Sequence, residues 1–148
     1  MMFNLSSNMI HCPEAGYTVQ ERHSIRETVY RIFHSVFSDG DFGFWENRLG
    51  HLCRDMAISS AETGNTEQAF DELNKMCEHM EKYQKFTSIE HTSPLVRGLK
   101  YSSSQSGSSD EYSIAHWLLC SLDENPGFKP LLADKRMETI KTRLKALG

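Results

Sequence analysis

The sequence predicts an all-α fold of about five to seven helices. Apolar residues recur at intervals of three and four in five separate stretches, and no stretch shows the sustained alternation of a half-buried strand. Turn-forming glycine and proline residues lie between these stretches. The chain has 148 residues, of which 39% are hydrophobic and 24% charged, and this composition is sufficient for one folded domain.

We predict a single domain over residues 18–148, preceded by a loose arm at 1–17 that Pro13 and Gly16 interrupt. The first amphipathic helix presents one apolar stripe, formed by Ile25, Val29, Ile32, Phe33, Val36 and Phe37. The turn-favouring residues between 38 and 43 end this helix.

Two further stripes predict a helical hairpin. The first consists of Trp45, Leu49, Leu52, Cys53, Met56, Ala57 and Ser60. The second consists of Ala69, Phe70, Leu73, Met76, Cys77, Met80 and either Tyr83 or Gln84. Gly64 can adopt the left-handed conformation that ends a helix, and Asn65 with Gln68 three residues later is typical of a capping box. Because so short a turn joins them, helices at 44–62 and 66–84 are expected to run antiparallel.

The connection at 85–109 has a different composition, with prolines, glycines and a run of serines. We expect residues 90–100 to form a short helical turn and residues 101–109 to be mobile. The predicted apolar anchors of this connection are Leu95, Val96 and Leu99.

Two helices complete the predicted fold. Ser109 or Asp110 is expected to cap a fourth helix that carries Ile114, Ala115, Leu118, Leu119 and Leu122. A connection with two prolines follows at 126–130. The last helix carries a stripe of Met137, Ile140, Leu144 and Leu147.

Residues 50–83 resemble one tetratricopeptide repeat, a helix–turn–helix unit of 34 residues. Ala57 and Ala69 are the small residues that let two helices approach closely in such a unit. The chain departs from the repeat pattern at Ser60, where an aromatic residue is usual, and at Glu81, where proline is common. We therefore predict a tetratricopeptide-like array of antiparallel helical hairpins.

A second resemblance covers roughly residues 17–147. The runs at 64–73, 80–83, 91–96 and 125–144 are similar to the C-terminal part of Firmicute Cro/repressor-type helix-turn-helix transcriptional regulators. The hairpin followed by His-Thr-Ser-Pro-Leu-Val at 91–96 is the most specific element. In that family a DNA-binding unit precedes a tetratricopeptide-like domain. The resemblance implies regulation through protein or ligand contacts, without direct contact between this chain and nucleic acid.

The arm at 1–17 is too short for the three helices of a DNA-binding unit. We expect this chain to be either the sensor half of a longer regulator or a free-standing relative. The candidate binding site is the concave face of the first hairpin helix, to which helical phase assigns His51, Arg54, Ile58 and Ala61. These side chains suit a peptide or an acidic ligand, and a plain solvent-exposed helix face is an equally good interpretation.

Histidine and cysteine residues offer a weaker alternative, a metal protein or an enzyme. The pairs His51 with Cys53 and Cys77 with His79 are each two residues apart, so their side chains diverge on a helix and neither pair can share an ion. We expect Cys53 and Cys77 to face each other as small buried residues, with a regulatory disulfide or metal as the less favoured interpretation.

Catalytic signatures of the common hydrolases, metalloproteases and nucleotide-binding enzymes do not occur in the sequence. His91 and Ser93 have the chemistry of a base and a nucleophile, but the sequence identifies no acid to orient them. We expect them to cap a turn instead. Six cations near the C-terminus, Lys129, Lys135, Arg136, Lys141, Arg143 and Lys145, are expected to form a solvated face rather than a phosphate site.

The charge balance also excludes function classes. Sixteen lysines and arginines against twenty acidic residues give a net charge of −4, which argues against a dedicated nucleic-acid binder.

No long apolar run and no secretory leader is evident in the sequence. Four cysteines without a framework are typical of reduced thiols, so we expect a cytoplasmic protein.

The predicted function is a non-enzymatic sensory or protein-interaction domain of a transcriptional regulator, which binds a peptide, a small ligand or its own copy. We expect no cofactor, no metal and no membrane partner. The main alternative is a purely structural homodimer that uses Trp117 and the terminal helix.

Overall fold

The computed structural model describes residues 16–103 and 113–148, and these residues are mostly helical. The elements in chain order are α1 (Val19–Val36), α2 (Trp45–Glu62), α3 (Thr66–Lys85), β1 (Ser88–Glu90), β2 (Lys100–Ser102), α4 (Ile114–Glu124), a 3-10 helix (Pro126–Leu131) and α5 (Lys135–Lys145). The predicted all-α class with about six helices is confirmed. Most of the predicted arm at 1–17 lies outside the described residues.

Helices α2 and α3 form the predicted antiparallel hairpin. Gly64 has a φ of +78° in the turn, a conformation that glycine adopts at little cost. The side-chain oxygen of Asn65 accepts a hydrogen bond from the backbone N–H of Gln68 at 3.2 Å, which satisfies one of the free donors at the start of α3. The Gln68 side chain bonds the side-chain amide of Asn65 rather than its backbone, so only half of a capping box is present.

The core has two parts on opposite sides of this hairpin. An aromatic-rich cluster joins α1, the loop after it and the start of α2, and consists of Val29, Phe33, Phe37, Phe42, Trp45, Leu49 and Leu52. A larger cluster joins α2 and α3 to α4, the 3-10 helix and α5, and includes Leu73, Met76, Leu118, Phe128, Met137 and Ile140. Helix α1 therefore packs on one side of the hairpin and the C-terminal elements pack on the other.

The predicted helical turn at 90–100 is wrong. Strands β1 and β2 pair antiparallel, with Ser88 opposite Ser102 and Glu90 opposite Lys100, and turns fill the segment between them. Leu95 is 74% exposed and Leu99 is 47% exposed, so neither anchors the connection.

A long-range contact explains this difference. Oxygen Oδ2 of Asp39, in the loop after α1, accepts hydrogen bonds from the backbone N–H groups of Thr92 and Ser93, both at 3.1 Å. The Ser93 hydroxyl in turn accepts a hydrogen bond from the backbone N–H of Asp39 at 3.1 Å. These bonds hold residues 92 and 93 against a loop more than 50 positions away in sequence, which local propensity cannot anticipate.

The C-terminal helices cover the larger cluster. Ser113 is the residue that caps α4, with its hydroxyl 3.1 Å from the backbone N–H of His116, and the predicted cap candidates Ser109 and Asp110 lie outside the described residues. Asp134 caps α5.

Within residues 16–103 and 113–148, no helix combines the length and the apolar character that crossing a bilayer demands.

Three of the C-terminal cations bond acidic residues of the same chain. Arg136 bonds Glu67 at 2.9 Å, Lys141 bonds Asp123 at 2.6 Å and Arg143 bonds Glu81 at 2.8 Å. Their charges are thereby balanced within the domain.

Candidate functional site

The predicted binding face of α2 is covered in part by the C-terminal elements. The ring of Trp117, on α4, lies 5.0 Å from the His51 ring, and the guanidinium carbon of Arg54 lies 4.6 Å above the same indole. His51 and Arg54 are thus brought together, as helical phase predicts, but around a tryptophan that the groove hypothesis did not include.

The other end of the predicted groove is closed. Ala61 is 4% exposed, and Ile58 packs against the larger cluster. A Cβ added to Gly127 of the 3-10 helix would lie only 2.6 Å from Cγ2 of Ile58, so the two elements are in tight contact. The prediction of an open groove over Ile58 and Ala61 is corrected, because the 3-10 helix occupies that space.

We call the remaining surface of Trp117, Arg54 and His51 the Trp117 shelf. Trp117 is 49% exposed although it contacts two side chains. Arg54 donates from Nε to Oδ1 of Asp55 at 2.8 Å, which partly neutralises the guanidinium. Burial, followed by the nearby charge of Arg54, lowers the pKa of His51 to about 4. At neutral pH the shelf therefore presents an uncharged imidazole, an indole face and an oriented guanidinium.

The metal hypothesis gains no support from the described residues, in which no group of three or more histidine, cysteine or acidic side chains surrounds a common point. Cys77 approaches the backbone oxygen of Ile140 on α5, with its Sγ at 3.9 Å, whereas His79 points toward α1. The side chains of this pair diverge, as helical geometry predicts. Cys53 and Cys77 are both buried, and neither forms a disulfide.

His91 and Ser93 are used for structure. The Ser93 hydroxyl bonds the Asp39 backbone, and no described hydrogen bond joins the two side chains. His91 is 1% exposed, and its ring lies 4.8 Å from the ring of Phe37 and 5.6 Å from that of Tyr101. Burial tends to raise the pKa of Asp39, but its hydrogen bonds to residues 41, 92 and 93 outweigh that effect and lower it to about 2.

A buried hydrogen-bond network, which the sequence analysis did not predict, joins three helices. Oxygen Oε2 of Glu46 on α2 lies 2.5 Å from Nδ1 of His79 on α3, and the Tyr30 hydroxyl on α1 lies 2.9 Å from Nε2 of the same ring. Glu46 is 2% exposed and His79 is 5% exposed. Burying a charged or polar group costs free energy unless it is hydrogen-bonded. Each residue of this network therefore depends on its neighbour for a hydrogen-bond partner.

The sequence does contain a pattern that could have predicted this hydrogen-bond network. Glu46 is in phase with Leu49 and Cys53, so a carboxylate lies on the apolar stripe of α2. His79 lies likewise on the buried side of α3, in phase with Met76 and Tyr83. Each helix of the predicted antiparallel hairpin thus carries one ionisable residue on its buried side. This pattern indicates a buried pair.

A cleft of about 430 Å³ opens beside Glu46. The loop at 40–43, between α1 and α2, forms one wall, and the segment from the end of α3 to β1 forms the other. Its charged lining residues are Asp41, Glu46, Lys82 and Lys85. The cleft therefore brings acidic and basic side chains into one lining.

Comparison with protein-family models, with curated proteins and with solved structures finds no match at a significant level.

Proposed function

We propose that this chain is a non-enzymatic, tetratricopeptide-like interaction domain of a transcriptional regulator, and that it contacts a protein partner through the Trp117 shelf. The observation that carries the proposal is the half-exposed indole of Trp117, which packs against both His51 and Arg54. In this proposal the domain acts in the cytoplasm and transmits a signal by contact, not by a chemical reaction.

The chemistry of the shelf favours a protein partner. Tryptophan and arginine are the residues that contribute most often to binding free energy at protein interfaces. Trp117 offers a rigid apolar surface of which half is still exposed, and Arg54 is already oriented by Asp55. Such a surface suits an apolar side chain next to a carboxylate, because the indole supplies contact area and the guanidinium supplies charge-assisted hydrogen bonds.

The helical hairpin is consistent with a repeat-type scaffold. Ala57 and Ala69 are completely buried, so small residues occupy the interior of the α2–α3 hairpin, as in a tetratricopeptide unit. Helical repeats bind partners on the faces of such hairpins without needing catalytic groups. The resemblance of the runs at 64–73, 80–83, 91–96 and 125–144 to the C-terminal part of helix-turn-helix regulators supports a regulatory role.

Site-specific photo-crosslinking in bacterial cells tests the proposal. A benzophenone amino acid placed at position 117 should form an adduct with a protein partner, identified by mass spectrometry as a DNA-binding regulator or its associated factor. The same probe at Lys129, an exposed residue of the 3-10 helix that is not among the ring contacts of Trp117, is the control. Equal adduct yields from the two positions would contradict the shelf as an interaction surface.

The Arg54→Ala variant separates binding from folding. We expect it to reduce the adduct yield from position 117 several-fold, and because the Arg54 side chain is only 16% exposed, its melting temperature is measured alongside to distinguish a loss of binding from a loss of folding. An unchanged yield would remove Arg54 from the proposed surface.

A second candidate function is a structural homodimer. The exposed apolar surface of Trp117, 49% accessible, is the observation that favours a second copy as an alternative occupant. This alternative predicts an adduct of twice the chain's mass from position 117 and a melting temperature that rises with protein concentration.

A further inference from the structure

The cleft between the 40–43 loop and the end of α3 has the dimensions of a small-molecule site. Its volume of about 430 Å³ lies within the usual range for sites that bind metabolites. The lining consists of four charged residues together with two glycines, Phe86 and the hydroxyl residues Thr87 and Ser88. A site of this kind depends on a few fixed polar groups, so the charged residues determine which ligand it suits.

Glu46 supplies a fixed carboxylate to this cleft. Its oxygen Oε2 bonds His79, which is itself held by Tyr30, so the carboxylate cannot rotate freely. No described residue donates a hydrogen bond to the second oxygen, Oε1. A carboxylate that is 98% buried and has one unused oxygen is pre-organised to accept a cationic donor, because little ordering remains to be done on binding.

Two lysines supply the opposite charge. Lys82 and Lys85 are three residues apart in the last turn of α3, and both line the cleft. Neither makes an ion pair or a side-chain hydrogen bond within the described part of the chain. An ammonium group without an acidic partner, beside a cleft, is available to an anionic ligand group.

The balance of charges distinguishes the ligand classes. The lining contains two acidic side chains, Asp41 and Glu46, and two basic side chains, Lys82 and Lys85. A simple anion would be repelled by the buried Glu46 carboxylate, and a simple cation would leave both lysines without a partner. A molecule with both an ammonium and a carboxylate group satisfies both kinds of lining residue.

We propose that this cleft binds a free amino acid or a closely related small zwitterion, with its ammonium group on Glu46 and its carboxylate on Lys82 and Lys85. The proposal rests on the proposed function, because an effector site gives an interaction domain a signal to transmit. The ligand bridges the loop after α1 and the end of α3.

Thermal unfolding with free amino acids as probes tests this proposal. At least one proteinogenic amino acid at millimolar concentration should raise the melting temperature, because a ligand that binds only the folded state stabilises it. The matched amine without a carboxylate and the matched acid without an ammonium group should raise it much less. Failure of every amino acid, or equal stabilisation by one of the matched analogues, would overturn the proposal.

Substitutions of the two lysines test their proposed contact with the ligand carboxylate. Isothermal titration of the stabilising amino acid should show at least about tenfold weaker binding to the Lys82→Gln, Lys85→Gln double variant, since two charge-assisted contacts are lost. Lys129→Gln removes an exposed charge elsewhere and should leave the affinity unchanged. The lysine positions are exposed, so this result does not depend on whether the buried Glu46→Gln variant folds. Unchanged affinity in the double variant would overturn the assignment.

The two proposals fail separately. If no amino acid binds but the probe at position 117 still forms its adduct, the cleft assignment is wrong and the interaction surface stands. If an amino acid binds but no adduct forms, the Trp117 shelf is wrong, and the cleft stands as a binding site but loses its role as an effector site of an interaction domain.

Discussion

The Tyr30 hydroxyl lies 2.9 Å from Nε2 of His79, although 49 positions separate the two residues in sequence. The other ring nitrogen of His79 bonds Glu46, so one imidazole connects α1, α2 and α3. Burial raises the pKa of Tyr30 above its ordinary value, and the phenol therefore remains protonated over the physiological range.

Replacing Tyr30 with phenylalanine should destabilise the fold. The substitution leaves Nε2 of the buried His79 without its partner, and we expect a loss of about 1 to 3 kcal/mol in the free energy of unfolding. Urea denaturation measures this difference. Tyr83→Phe is the matched control, because the Tyr83 hydroxyl makes no hydrogen bond within the described residues. An equal loss in the two variants would show that the Tyr30–His79 contact contributes little.

Adding a methyl group at Gly127 should also be costly. The new Cβ would lie 2.6 Å from Cγ2 of Ile58 and 3.1 Å from Oδ1 of Asn125, so we expect Gly127→Ala to cost about 1 to 3 kcal/mol. Gly148→Ala adds the same atom at ordinary contact distance and should have no measurable effect. The cost at Gly127 should shrink in an Ile58→Ala background, and purely additive effects would rule out the steric explanation.

His51 should make the domain less stable in mild acid. The unfolded chain takes up a proton near pH 6.5, whereas the folded chain does so only near pH 4, so lowering the pH across this interval favours the unfolded state. The expected loss is up to about 3 kcal/mol. Urea denaturation at several pH values should show a shallower dependence for His51→Gln. An NMR titration that places the His51 ring near its ordinary pKa would refute this account.

The cysteines should differ in their reactivity. Burial raises the pKa of the Cys53 thiol and raises that of Cys77 to about 11, so both should resist iodoacetamide in the folded protein at pH 8. Cys120 is only half-buried and should be alkylated. Mass spectrometry of a Cys12→Ser background, before and after denaturation, measures the labelling of each site. Rapid labelling of Cys53 or Cys77 in the folded state would contradict the packing described for α2 and α3.

The helices could be predicted because their causes are local. The apolar stripe from Trp45 to Ser60 and the glycine at 64 determine where α2 forms and where it ends, and the structure places both ends within one residue of the prediction. The stripe of the last helix likewise predicted the buried Met137, Ile140 and Leu144.

The β-hairpin and the closed groove could not be predicted in this way. Each depends on a contact between distant parts of the chain: Asp39 with residues 92 and 93, and Gly127 with Ile58. Helical phase correctly placed His51 and Arg54 on one face, but it cannot show which other element covers that face. Trp117 does so here from more than 60 positions away.

The α2–α3 hairpin takes part of its stability from elements outside itself. Its His79 requires Tyr30, and its Ser59 receives a hydrogen bond from Arg26 of α1 at 3.0 Å. Its opposite side requires the 3-10 helix at Ile58 and α5 at Cys77. The hairpin is consequently not expected to be stable on its own. If it were excised, its buried imidazole and carboxylate would contact water, and if it were grafted into a designed repeat array, they would contact unrelated side chains.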